Sequence, residues 1–167
     1  MLMKNVLASN RASVIAELEF KGGFKKEQID VAPNSHGIYV AFACKEADDH
    51  FECVRIVYIG KADKSDSIRS RIDDHANDRD TSDSGKQSYW ESQYCDENEI
   101  IVYCYAEYDE NIEDIEATLI RRNQPEANIH GKDRYIGNAP HVYVKCTGQK
   151  GLIADINSVM KLLRGSR

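Results

Sequence analysis

Two tyrosines and an arginine–histidine pair are the residues of this 167-residue chain whose types and spacing could do chemistry. Tyr39 lies in the run 35–41, and Tyr58 in the run 57–61. Each run is short, apolar and β-branched, with turn-forming or charged residues at its ends, which predicts a strand. Antiparallel pairing across the polar connection 44–55 would bring the phenols together, Tyr39 on the face of Ala41 and Tyr58 on that of Gly60. Beyond Gly60 the chain turns polar and then helical over 67–77. Arg71 and His75 are four residues apart there and share a helical face. Such a set suits phosphodiester hydrolysis. A guanidinium offers a fixed fork of donors to non-bridging oxygens, and a phenol or imidazole can take the proton of an attacking water. A free tyrosine has a pKa near ~10, so a phenolate needs help from cations such as Arg71 and Lys61.

Taken in order, these residues resemble the GIY-YIG nuclease family. The resemblance spans about 33–128. It runs from Gly37-Ile38-Tyr39 through Tyr58-Ile59-Gly60 to Arg71 and His75, then to Glu116 on a later helix and Asn128 beyond it. A second Tyr135-Ile136-Gly137 has nothing of the pattern after it and reads as coincidence. The loop after Gly60 is longer than the common family spacing, which puts Arg69 in competition with Arg71. The four-residue offset to His75 favours Arg71 and leaves Arg69 as a phosphate contact.

The resemblance implies a metal-dependent endonuclease hydrolysing DNA through a single divalent ion, Mg²⁺ or Mn²⁺, on Glu116. An oxygen ligand suits either ion. It also implies that Tyr39 is the general base or orients the water, with Tyr58 and His75 as open alternatives. His75 would relay the proton or hydrogen-bond Tyr58, and Asn128 would position Glu116 or the phosphate. Lys61, Lys64, Arg69, Arg121 and Arg122 are the expected contacts to the nucleic-acid backbone. The alternative is a weakly catalytic or non-catalytic module that binds a nucleic-acid structure, or a nuclease subunit of a larger repair or restriction assembly.

Composition weighs on these readings. Twenty-eight acidic against 22 basic side chains give a net charge of −6, and affinity for DNA comes mainly from lysine and arginine on phosphates. The basic residues must therefore cluster, or a protein partner must supply affinity. A hydrophobic fraction of 41% with 30% charged residues describes a soluble globular chain, one domain over 1–167. Five cysteines without a C-x-x-C pair predict reduced thiols and no structural zinc. Residues 1–8 lack the apolar core of a signal peptide and no segment is long enough to span a bilayer, which predicts a cytoplasmic protein without membrane contact.

The elements that must position the site predict an α/β chain of α+β type, with a small, mainly antiparallel sheet flanked by helices. Residues 10–21 read as a helix, capped by Ser9 or Asn10, with Val14, Ile15 and Leu18 on one face and Gly22-Gly23 ending it. Residues 78–99 read as a long polar connector, in which Trp90 either stacks on a base or pins the loop to the core. Residues 100–108 read as a strand with Ile101, Tyr103 and Tyr105 on one face, and Val102, Cys104 and Ala106 on the other. A helix over 111–122 buries Ile112, Ile115, Leu119 and Ile120, with Glu116 at the edge of that stripe. An added edge strand at 140–144, with His141 a structural residue, and a helix over 152–163 complete the expectation. These last elements and the 10–21 helix are decorations on the motif core.

Overall fold

The computed structural model describes residues 13–160. Its strands are β1 (Val14–Phe24), β2 (Gly37–Glu46), β3 (Phe51–Ala62), β4 (Glu99–Glu107), β5 (His141–Gly148) and β6 (Ile156–Met160). Its α-helices are α1 (Ile68–Ala76), α2 (Gln87–Tyr94) and α3 (Ile112–Asn123), joined by short 3-10 segments at Lys26–Val31 and Asp83–Gly85. The strands form one mixed sheet in the order β3-β2-β4-β1-β5-β6. The architecture is α+β, and no described helix is long and apolar enough to cross a membrane.

Strands β2 and β4 lie inside the sheet and are covered on both sides, so β2 is buried without interruption from Gly37 to Cys44. One face is apolar: Ile38, Val40, Phe42, Ile59 and Val102 pack under Ile112, Ile115 and Leu119 of α3. The other carries Tyr39, Ala41, Tyr103 and Tyr105 under Ile68 and Ile72 of α1 and Trp90 of α2. The alternation expected along 100–108 is therefore the division between these two layers. Helix α1 begins where the Ser67 hydroxyl accepts from the Ser70 N–H.

The hairpin β2–β3 is antiparallel, with Tyr39 opposite Gly60 and Ala41 opposite Tyr58. The strands run further than expected. Most of 44–55 is paired ladder, with one register shift between Ala43 and Cys44, and the turn is confined to residues 47–50.

Neither terminal helix expected from the sequence forms over the described residues: the first is strand from Val14, and the second is a turn leading into strand at Ile156–Met160. In β1, Val14, Ala16, Leu18 and Phe20 are buried while the residues between them are exposed, a period of two that outweighs the helical spacing read through Ile15. Ile15 itself is 55% exposed. Ser9 and Asn10 lie outside the described residues. In β6, Asn157 and Val159 are buried while Ile156 and Met160 face out, so apolar residues at helical spacing end on opposite faces. Leu163 lies outside the described residues. Strand β5 is not an edge: it pairs parallel to β1 and antiparallel to β6. Because β1 sits between β4 and β5, these segments are structural members of the sheet rather than decorations. The connector 78–99 also holds more order than expected, since it contains α2 and a 3-10 turn.

Candidate active site

Tyr39 and Gly60 face each other across the hairpin, and the phenol lies over the glycine. A Cβ on Gly60 would stand 2.3 Å from the Tyr39 hydroxyl, so the position tolerates no side chain while Tyr39 keeps its place. From there the Tyr39 hydroxyl reaches His75 Nε2 of α1 at 2.8 Å. Both residues are buried, at 1% and 0% exposure. The other ring nitrogen, Nδ1, meets the Gly85 carbonyl. A carbonyl only accepts, so Nδ1 carries the proton, Nε2 is bare, and Tyr39 donates to it.

Asp80 stands behind His75, with Oδ2 3.7 Å from Nδ1 and 3.6 Å from an Arg71 guanidinium nitrogen. Its other oxygen is held by the Ser82 N–H at 2.9 Å and the Ser82 hydroxyl at 2.7 Å. Gly85 packs against this carboxylate so closely that a Cβ there would fall 2.4 Å from Asp80 Oδ1. Trp90 closes the cluster: its ring lies 5.1 Å from both Tyr58 and His75, and its indole N–H donates to the Ser84 carbonyl at 2.6 Å. With Trp90 fully buried, its role here is to pin the loop to the core.

Charge follows from this packing. Burial, joined by Tyr58, raises the Tyr39 pKa well above its ordinary value, and Arg71 offsets only part of that. Burial likewise pushes Tyr58 up to about 12. Arg71 favours a phenolate at Tyr39 as expected, but desolvation exceeds its attraction and keeps the phenol protonated. Burial also lowers the His75 pKa, and Arg71 adds to that. Arg71 is raised: burial opposes its charge, but Tyr39, Tyr58 and Asp80 outweigh it. At neutral pH the cluster therefore holds two neutral phenols, a neutral imidazole, a carboxylate and a guanidinium.

Glu116 approaches from the other face. Strand β3 is a sheet edge, and around it a cleft of about 340 Å³ is lined by Tyr58, Ser82, Gly85, Glu116 and Asn128. Burial pushes the Glu116 carboxyl up to about 7, with Asp63 and Glu113 adding to the shift and Lys61 and Arg71 opposing it. Asn128 is committed to the backbone. Its side-chain oxygen accepts from the Ile59 N–H and its nitrogen donates to the Ile59 carbonyl, both at 2.9 Å. The side-chain amide thereby satisfies the outward peptide groups of the edge strand, between Tyr58 and Gly60. Ile136 of the second Tyr-Ile-Gly run also lines this cleft.

The expected phosphate contacts are dispersed. Lys61 is engaged by Asp63 at 2.8 Å and Glu113 at 3.3 Å. Arg69 donates to the Ala32 and Asp30 carbonyls, away from His75, so Arg71 alone of the two joins the cluster. Arg121 donates to the Lys132 carbonyl. Lys64 and Arg122 are exposed. Asp80 and Gly85 were not among the residues singled out by sequence. The signal present was the Asp-Thr-Ser order, which suits an Asx turn.

Among the described residues no three His, Cys, Asp or Glu side chains converge on one point. Glu116 alone fits a single divalent ion that keeps most of its water, since a desolvated carboxylate gains from a nearby cation. No model of a known family matches the chain, and neither does any curated protein or solved structure.

Proposed function

We propose that this protein is a metal-dependent endonuclease of GIY-YIG type that hydrolyses DNA phosphodiester bonds at the edge of β3. The observation that carries the reading is the Tyr39–His75 hydrogen bond, with a bare imidazole nitrogen as acceptor, behind a cleft holding Tyr58 and Glu116. A Mg²⁺ or Mn²⁺ ion held by Glu116 would neutralise charge on the phosphoryl and leaving oxygens. Arg71 orients the scissile phosphate through its non-bridging oxygens.

Tyr58 is the tyrosine that an attacking water meets, because it lines the cleft while Tyr39 is buried. Tyr58 stacks against Tyr39, with ring centroids 6.2 Å apart, and would donate to the Tyr39 oxygen, whose own proton is committed to His75. The proton passes inward from Tyr58 through Tyr39 to His75 Nε2, and Asp80 stabilises the imidazolium. Asn128 keeps Ile59, and with it Tyr58, in place.

Supercoiled, single-stranded and branched DNA, each incubated with Mg²⁺, Mn²⁺ or EDTA, test the reading. Metal-dependent nicking of at least one substrate, lost in His75→Ala, is expected. Binding without turnover on all of them would favour a nucleic-acid-binding module. The engagement of Lys61, Arg69 and Arg121 within the fold supports a further element of the proposal, that a partner subunit supplies part of the DNA affinity.

A further inference from the structure

The β2–β3 hairpin carries a different reactive pair at its other end. Cys44 and Cys53 are cross-strand partners beside a register shift, and the Cys44 thiol donates to Cys53 Sγ at 3.1 Å. Cys44 is fully buried, whereas Cys53 opens on a cavity of about 620 Å³ whose wall includes Asp48, Asp49 and His50. The donated S–H holds the Cys53 thiol below its ordinary range. The same bond, with burial, raises Cys44. Two thiolates on a tetrahedral ion with bonds of about 2.3 Å would lie about 3.8 Å apart. The observed separation is shorter, so the pair is set for a sulfur–sulfur bond and not for a shared metal.

We propose that Cys53 and Cys44 form a hydroperoxide-reactive dithiol site, with Cys53 the attacking and Cys44 the resolving sulfur. Cys53 sulfur attacks one peroxide oxygen; the S–O bond forms and the O–O bond breaks. The departing oxygen takes the Cys53 proton and leaves as water, or as alcohol from an organic hydroperoxide. Cys44 sulfur then displaces the remaining oxygen from Cys53; the S–S bond forms, the S–O bond breaks, and a second water carries off the Cys44 proton. The two sulfurs together lose two electrons and the peroxide gains them. The chain's other thiols are poor competitors, since burial pushes Cys95 up to about 11, and Cys104 and Cys146 up to about 12.

The test treats the native full-length protein with hydrogen peroxide, alkylates it and maps the peptides by mass spectrometry. The expected result is loss of two of the five thiols, one Cys44–Cys53 cross-linked peptide, and full reversal by dithiothreitol. Cys44→Ser should trap a sulfenic acid on Cys53 that dimedone labels. Cys53→Ser should slow thiol loss about tenfold or more, because the only activated sulfur is gone. A cross-link to Cys104, a sulfenic acid persisting on Cys53 in the unmodified sequence, or oxidation elsewhere while Cys53 stays reduced would each overturn the proposal. The mapping on the unmodified sequence decides the matter even where a serine variant fails to fold.

Discussion

The two faces of β2 and β4 are equally buried and chemically opposite. Under α3 the layer is apolar, with Ile38, Val40, Phe42, Val102 and Ile115 holding no hydrogen-bonding side-chain atom between them. Under α1 and α2 the same strands present Tyr39 and Tyr103, and both hydroxyls are satisfied internally, by His75 and Gln87. Burial without polar atoms yields stability alone. Burial of a phenol against an imidazole yields shifted protonation and a directed hydrogen bond as well. Position matters too, since at β3, the edge of the sheet, Tyr58 of the polar layer and Glu116 from the other face line one cleft.

The largest expected effect separates chemistry from fold. Tyr39→Phe removes the hydroxyl that His75 accepts from and should lower the cleavage rate by about 10²–10⁴-fold, the range of general acid–base contributions. It should also cost about 1–3 kcal/mol of stability, because it leaves a buried imidazole nitrogen unpaired, so the rate is read on the folded fraction. A rate within a factor of a few of the parent would break the proton path. On the opposite face, Ile115→Ala opens a cavity under a residue with 0% exposure. It should cost about 2–5 kcal/mol of stability by denaturant titration, with the specific activity of the folded fraction unchanged.

A smaller effect lies at Glu116, whose folded pKa of about 7 stands above its ordinary 4.5. A raised folded pKa contributes stability that is fully present below about 4.5 and is lost as pH rises through about 7. Without metal, stability should therefore fall across that window by about 1–3 kcal/mol, from the linkage between protonation and folding. Glu116→Gln should flatten the dependence, which thermal melts from pH 4 to 8 in EDTA would read. The smallest effect sharpens the comparison within the polar layer. Tyr103→Phe breaks a buried bond of 2.7 Å to Gln87 and should cost about 1 kcal/mol, while cleavage proceeds at the parent rate.

Much of the polar face was legible in the sequence, because local patterns specify it. Tyr39, Tyr58, Arg71 and His75 fall on elements that period and spacing identify, and the alternation along β4 divided the two layers correctly. The sheet beyond β4 was not legible. In β1 a period of two competes with Ile15 at helical spacing, and only pairing with β4 and β5, residues distant in sequence, decides between them. β6 was misread for a related reason, since polar Asn157 is buried beside Val159 and is held by Asn123 and Ala154, residues whose positions only the fold shows. Asp80 was hidden differently. It is one aspartate among several in an acidic loop, and only the fold shows which of them reaches His75.

The central claim is that groups from the two faces meet around the edge of β3 and act as one unit. Single-turnover cleavage by the parent, Tyr39→Phe, Glu116→Gln and the double variant tests it most directly. The account predicts that each single change lowers the Mg²⁺-dependent rate by about 10²-fold or more, and that the double variant is no slower than the worse single, as for residues that work together. Losses that multiply in the double variant, or undiminished metal-dependent cleavage by Glu116→Gln, would contradict it.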